Sequence, residues 1–137
     1  MYTETEILSK QALARALKLS GAFLLDDVAA VQRDCNGIGA AWFPDRWRDF
    51  LDGAFPELEI AADIHDLRYS IGGGIFARWM ADFEFLRNGL RVALRFARIT
   101  IRRRFLLARV SVKMYLLLAI GGAAAFNYKK KGMCNGI

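Results

Sequence analysis

The chain has 137 residues, 55% of them hydrophobic, with 10 Phe, 3 Trp and a formal net charge of +6. This allows one domain with a real core, leaves too little chain for two, and is too apolar for intrinsic disorder. The charge is divided along the chain. All fourteen acidic residues lie at or before Glu84, where only eight basic residues oppose them, leaving that part at −6. Beyond Glu84 stand twelve Lys and Arg and no acid, giving +12. Such a split points to an anionic partner for the C-terminal part, whether lipid headgroups, nucleic acid or an acidic protein surface. Cys35 and Cys134 are too few for a disulfide framework and read as free thiols in a reducing compartment, a single bridge being the alternative. Glu4 and Glu6 stand where a signal peptide needs basic residues, so no signal peptide is expected. The longest uncharged apolar run, Met114 to Tyr128, is shorter than a bilayer span and contains Gly121-Gly122. We therefore expect a soluble or membrane-surface protein, not a transmembrane one.

Apolar residues recur at three- and four-residue spacing and prolines are scarce, which predicts an all-α fold. Thr3 to about Leu19 reads as a helix, with Thr3 and Glu6 forming a capping box and Ile7, Leu8, Ala12, Leu13, Ala16 and Leu17 on its apolar face. Ser20-Gly21 interrupts it, and a second helix is expected from Ala22 to Arg33. Glycines and a proline make Asp34 to Pro44 a loop. Asp45 caps a short helix through Asp52, and Gly53 to Pro56 turn the chain. Glu57 to Ser70 forms the next helix, which Gly72 to Gly74 terminate. From about Phe76 one long helix is expected to run beyond Met114 to Gly121-Gly122, with Asn88-Gly89 or Thr100 as the places for a bend. A basic tail with Lys129-Lys130-Lys131 follows. No internal repeat is present.

His65 is the only histidine, so near-neutral proton transfer has one candidate. On a helix His65 and Tyr69 share a face, while Asp66 is turned by about 100°. The imidazole can then serve a water while the carboxylate serves a metal. If the following helix returns antiparallel, Asp82 can bond His65 and set its tautomer. A His-Asp dipeptide by itself favours a partly buried histidine beside a solvated aspartate. Zinc and His-Asp phosphohydrolase sites need more histidines or cysteines than this chain owns. Upstream, Gly37 and Gly39 permit turns that aim several carbonyl oxygens inward, as Ca2+ accepts, although an ordinary interhelical loop would look the same.

Three motifs appear in a telling order. They are Asn36-Gly37-Ile38-Gly39, then Ile64-His65-Asp66-Leu67-Arg68-Tyr69, then Ala81-Asp82-Phe83-Glu84-Phe85-Leu86. Tyr115 follows, with Gly121, Gly122, Ala125 and Phe126. Together they resemble the secreted phospholipase A2 superfamily, and more closely the small phospholipase A2-like proteins of phages and prophages. The resemblance spans roughly Asp34 to Tyr128. It implies a core of two antiparallel helices, with His65 as general base, Asp82 orienting it and Tyr69 supporting that aspartate. It also implies calcium held by Asp66 and by the backbone carbonyls of Cys35, Gly37 and Gly39. The chain departs from the family at Ile38 and Ala40, where cysteine or proline is common, and at Asn36, where no loop disulfide can form. On this basis residues 1–33 form an N-terminal helical arm without a counterpart, 34–128 the phospholipase A2-like domain and 129–137 a basic tail.

Arg87, Arg91, Arg95, Arg98 and Arg102 fall at spacings of four, four, three and four, one stripe on a continuous helix, extended by Arg103 and Arg104. Such a stripe is either a solvated face or a dock for anionic phospholipid surfaces. Nucleic acid is the lesser option, since no nucleic-acid module accompanies the charge. An acidic neighbour, including another copy of this chain in a homo-oligomer, is a third. Trp42, Phe43, Trp47, Phe76, Trp79 and Phe83 flank the candidate site, most of them expected in the core and some along an acyl-chain slot. The leading expectation is calcium-dependent hydrolysis of a glycerophospholipid acyl ester by a phage-associated protein, located in the virion or the host cytoplasm. The alternative is a structural tail or baseplate subunit on the same scaffold.

Overall fold

The computed structural model describes residues 1–35, 51–122 and 126, and the fold is all-α. Helix α1, Glu4–Ala16, starts at the expected capping box. The Thr3 hydroxyl accepts from the Glu6 amide at 3.2 Å, and the Glu6 carboxylate accepts from the Thr3 amide at 2.7 Å. The expected second helix is divided. A 3-10 segment covers Ala22–Asp26, and α2, Val28–Asp34, begins afresh because the Asp27 side chain accepts from the Ala30 amide at 3.0 Å. Most of the expected helix from Asp45 to Asp52 lies outside the described residues. Pro56 opens a 3-10 turn, Pro56–Leu58, that leads into α3, Glu59–Ile71.

Gly72 and Gly73 then take positive φ values of 72° and 136°, a region that L side chains rarely enter. They reverse the chain into α4, Ile75–Arg95, so that α3 and α4 form a helical hairpin. The long helix expected from Phe76 to beyond Met114 is interrupted at Thr100, one of the two places for a bend, and the interruption is a full break. It breaks between Phe96 and Thr100, with Arg98 left-handed (φ 60°), and the Thr100 hydroxyl caps α5, Ile101–Gly121, by accepting from the Arg103 amide. The Arg104 guanidinium folds back to donate to the carbonyls of Ala93, Leu94 and Phe96, closing the end of α4. Arg78 reaches Ala119 and Gly89 meets Ser111, so α5 runs antiparallel along α4. A Cβ on Gly89 would lie 2.3 Å from the Ser111 hydroxyl, which shows how closely the two backbones approach.

One core joins all of these elements. Ile7, Leu25 and Val31 pack with Leu58 and Ile64, with Phe85 and Val92, and with Leu107 and Leu118. Residues of the N-terminal arm thus share the interior of the hairpin. Among the described residues no helix is long and apolar enough to cross a membrane.

A buried polar cluster fastens α1 to α3. Lys10 donates to Asp63 at 2.7 Å and sits 3.1 Å from Glu59, while the Tyr2 hydroxyl is shared between the same two carboxylates. Burial outweighs the cation and pushes the Asp63 carboxyl up to about 6. Burial also opposes the charge on Lys10, but Asp63 and Glu59 together hold its ammonium above the ordinary range. The fold therefore holds the Asp63 proton more tightly than the unfolded chain does. The stability this contributes is full below about pH 4 and is lost as the pH rises through about 6. We expect Lys10→Met to cost about 3 kcal/mol at neutral pH, where it strands a buried carboxylate. The loss should be smaller at about pH 5, where Asp63 carries its proton. Urea unfolding at both pH values measures it, and equal losses would exclude Asp63 as the partner.

Candidate active site

His65 and Tyr69 lie one turn apart on α3 and face α4, with ring centroids 4.0 Å apart. Asp82 meets both from the facing helix. Its Oδ1 lies 2.9 Å from His65 Nε2 and accepts the Tyr69 hydroxyl at 2.5 Å. An ionised carboxylate only accepts, so a neutral His65 donates through Nε2 and keeps the lone pair of Nδ1 for a proton. The Phe85 edge, 5.6 Å from the imidazole, and the Phe126 ring, 5.1 Å from Tyr69, wall the group with apolar surface. His65 is 5% exposed and Asp82 1%. Asp82 Oδ2 is buried with no hydrogen-bond partner among the described residues, so Oδ1 alone anchors the carboxylate to the protein. The three residues singled out in the sequence as a catalytic group are therefore in one bonded cluster.

The second set, the candidate calcium ligands, is described only in part. Asp66 is half-buried, turned away from the His65 face as the helical period requires. Cys35 closes α2 beside it. Its thiol lies 3.5 Å from the Asp63 carbonyl, and burial, followed by the charges of Asp63 and Asp66, pushes the thiol well above its ordinary range. The first residue of the glycine loop thus stands within electrostatic reach of the Asp66 carboxylate. Gly37 and Gly39 lie outside the described residues, as do Trp42, Phe43 and Trp47. Among the described residues no three His, Cys, Asp or Glu side chains gather as a metal cluster. A site of one carboxylate and main-chain carbonyls would not register as such a cluster, and of the expected ligands only Asp66 and Cys35 are among the described residues.

The arginine stripe takes a different form from the one expected, because the helix that was to carry it is broken at residues 96–100. Arg91 donates to the Lys18 carbonyl and Arg95 to the Leu17 carbonyl, closing the end of α1. Arg103 pairs with Glu57 and donates to the Ala54 carbonyl, and Arg104 closes α4. Arg87, Arg98 and Arg102 are exposed. Phe76, Trp79 and Phe83, expected mostly in the core, are exposed as well. The inward face of α4 is already filled by Arg78, Ala81, Asp82 and Phe85.

The roles of two residues beside the site escaped the sequence reading. Arg78, one turn before Asp82, is buried and donates to the Ala119 carbonyl at 3.3 Å. Gly122, read as a helix stop and as part of the Gly121, Gly122, Ala125 and Phe126 motif but not as a neighbour of Tyr69, faces that ring so closely that a Cβ there would lie 2.3 Å from the phenolic oxygen. The four-residue step from Arg78 to Asp82 was visible beforehand, whereas the approach of Gly122 was not. No protein-family model, curated protein or solved structure matches the chain.

If Gly122 holds Tyr69 in place, Gly122→Ala should cost about 1–3 kcal/mol by displacing the hydroxyl. Tyr69→Phe, which removes the clashing atom, should recover part of that loss. A double-mutant cycle on thermal unfolding checks this, and additive effects would show that the two do not touch.

Proposed function

We propose that the protein is a phospholipase A2-like hydrolase, associated with a phage, that cleaves an acyl ester of glycerophospholipids with calcium. The observation that carries this reading is the bonded row Tyr69, Asp82, His65, which leaves Nδ1 as the available base. In this reading His65 Nδ1 takes a proton from water as the water oxygen bonds to the acyl carbonyl carbon. The Nε2–H bond to Asp82 holds the ring in one tautomer and stabilises the imidazolium that results. When the carbon–oxygen bond to the glycerol breaks, the same proton passes to the departing alkoxide, giving a fatty acid and a lysophospholipid. Tyr69 keeps Asp82 from turning away, and Phe85 and Phe126 limit water around the ring. Asp66 and the carbonyls of Cys35, Gly37 and Gly39 would hold calcium, which supplies positive charge to the ester carbonyl and the developing oxyanion. The loop lacks a bracing disulfide at Asn36, so calcium binding depends on how well α2 and α3 fix its first residue.

His65→Ala should lower phospholipid cleavage by roughly 10²–10⁴-fold with helicity intact. Unchanged cleavage would remove His65 from the mechanism. Calcium titrated calorimetrically into wild type and Asp66→Asn tests the metal separately: we expect heat with the first and none with the second.

The second reading is a tail or baseplate subunit with or without residual catalysis. It is favoured by the apolar side chains left outside on α4 and α5, among them Phe76, Leu94 and Ile120. It keeps the same buried His65 cluster as inherited architecture.

A further inference from the structure

Helix α5 is apolar on two sides. Leu107, Ser111, Met114 and Leu118 face the interior. On the other side Ile101, Phe105, Val112, Leu116 and Ile120 stand in solvent, with Ile101 72%, Phe105 68% and Ile120 84% exposed. At about 100° per residue these five fall within an arc of roughly 120°, along a helix roughly 30 Å long. Arg102, Arg109 and Lys113 are exposed on the same arc, and none makes an ion pair or hydrogen bond with a described residue. The helix has no acidic residue at all.

We infer that this outer face of α5 is a docking surface for an anionic phospholipid bilayer. It deepens the lipid reading above and rests on it for the identity of the ligand, but its geometry does not involve His65. The choice of occupant follows from the charges. A second copy seated by a two-fold axis would set Arg109 and Lys113 against like charges, with no acid on the helix to neutralise them. A phosphate backbone would be met by the cations but would leave five large apolar side chains without a role. An anionic bilayer answers both, because acyl chains receive the apolar row while headgroups receive the cations. Contact therefore comes from α5, and of the expected stripe only Arg102 takes part, since four of its arginines close helix ends or pair with Glu57.

The test is sedimentation of the full chain with vesicles in calcium-free buffer, where docking is read apart from cleavage. Wild type should bind phosphatidylglycerol vesicles and release in high salt, and phosphatidylcholine vesicles should bind it far less. Val112→Glu with Leu116→Glu should weaken binding by roughly tenfold or more, and so should Arg102→Gln with Arg109→Gln and Lys113→Gln. All five side chains are exposed or on the outer arc, so the fold should survive, as circular dichroism would show. His65→Ala should bind as wild type does. Equal binding by the Val112/Leu116 variant would overturn the inference even if lipid is cleaved. Normal docking without cleavage would instead sink the hydrolase reading and leave the docking face standing. Failure to bind either vesicle, with a dimer that Val112→Glu and Leu116→Glu dissolve, would assign the face to a second copy.

Discussion

Asp82 is the residue around which the rest is arranged. A carboxylate buried between two helices is costly unless it is met by donors of fixed geometry. Here both donors come from the facing helix, one turn apart, so His65 and Tyr69 must stay in register with α4. That requirement sets the close hairpin at Gly72-Gly73 and the tight approach of Gly122 to Tyr69. The same bond occupies Nε2 of the imidazole, which is why the proposed function assigns the base to Nδ1. Structure and proposed function rest on one interaction.

The N-terminal segment is tied to this centre by polar groups as well as by apolar packing. Lys10 and Tyr2 meet Glu59 and Asp63 on the helix that carries His65. Ser20 meets Asn88 and Glu84, and Glu84 in turn holds Arg68. Through these contacts α1 and the 3-10 segment brace both helices of the hairpin from one side. The N-terminal segment thereby supports the helices that carry His65 and Asp82. Buried ion pairs and a common core hold α1 and these helices together.

The basic C-terminal half is used in two ways. Guanidinium groups of Arg91, Arg95, Arg103 and Arg104 donate to main-chain carbonyls that would otherwise lack partners at helix ends. Arginine suits this work because its planar fork serves several acceptors at once. The cations that remain on the outside of α5 sit among apolar side chains and pair with no acid among the described residues. The inner set stabilises the turn-rich junctions, and the outer set leaves the molecule with a face that is both greasy and positive.

Much of this was legible in the chain. The capping box at Thr3, the helical spacing, the glycine stop after Ile71 and the His65, Tyr69 and Asp82 set are local or depend on one short hairpin, where helical period alone brings the partners near. The cap at Asp27 is also local, but the reading ran one helix from Ala22 to Arg33 across it. What the chain could not reveal is non-local. Thr100 was legible as a place for a bend, but the roles of Arg91 and Arg95 need the end of α1 nearby. An arginine that caps a distant helix and one that awaits an anion have the same neighbours in sequence. Sequence determined which residues can be on one face of a helix; the tertiary structure decided which face is inside, because burial depends on partners that arrive from elsewhere in the chain.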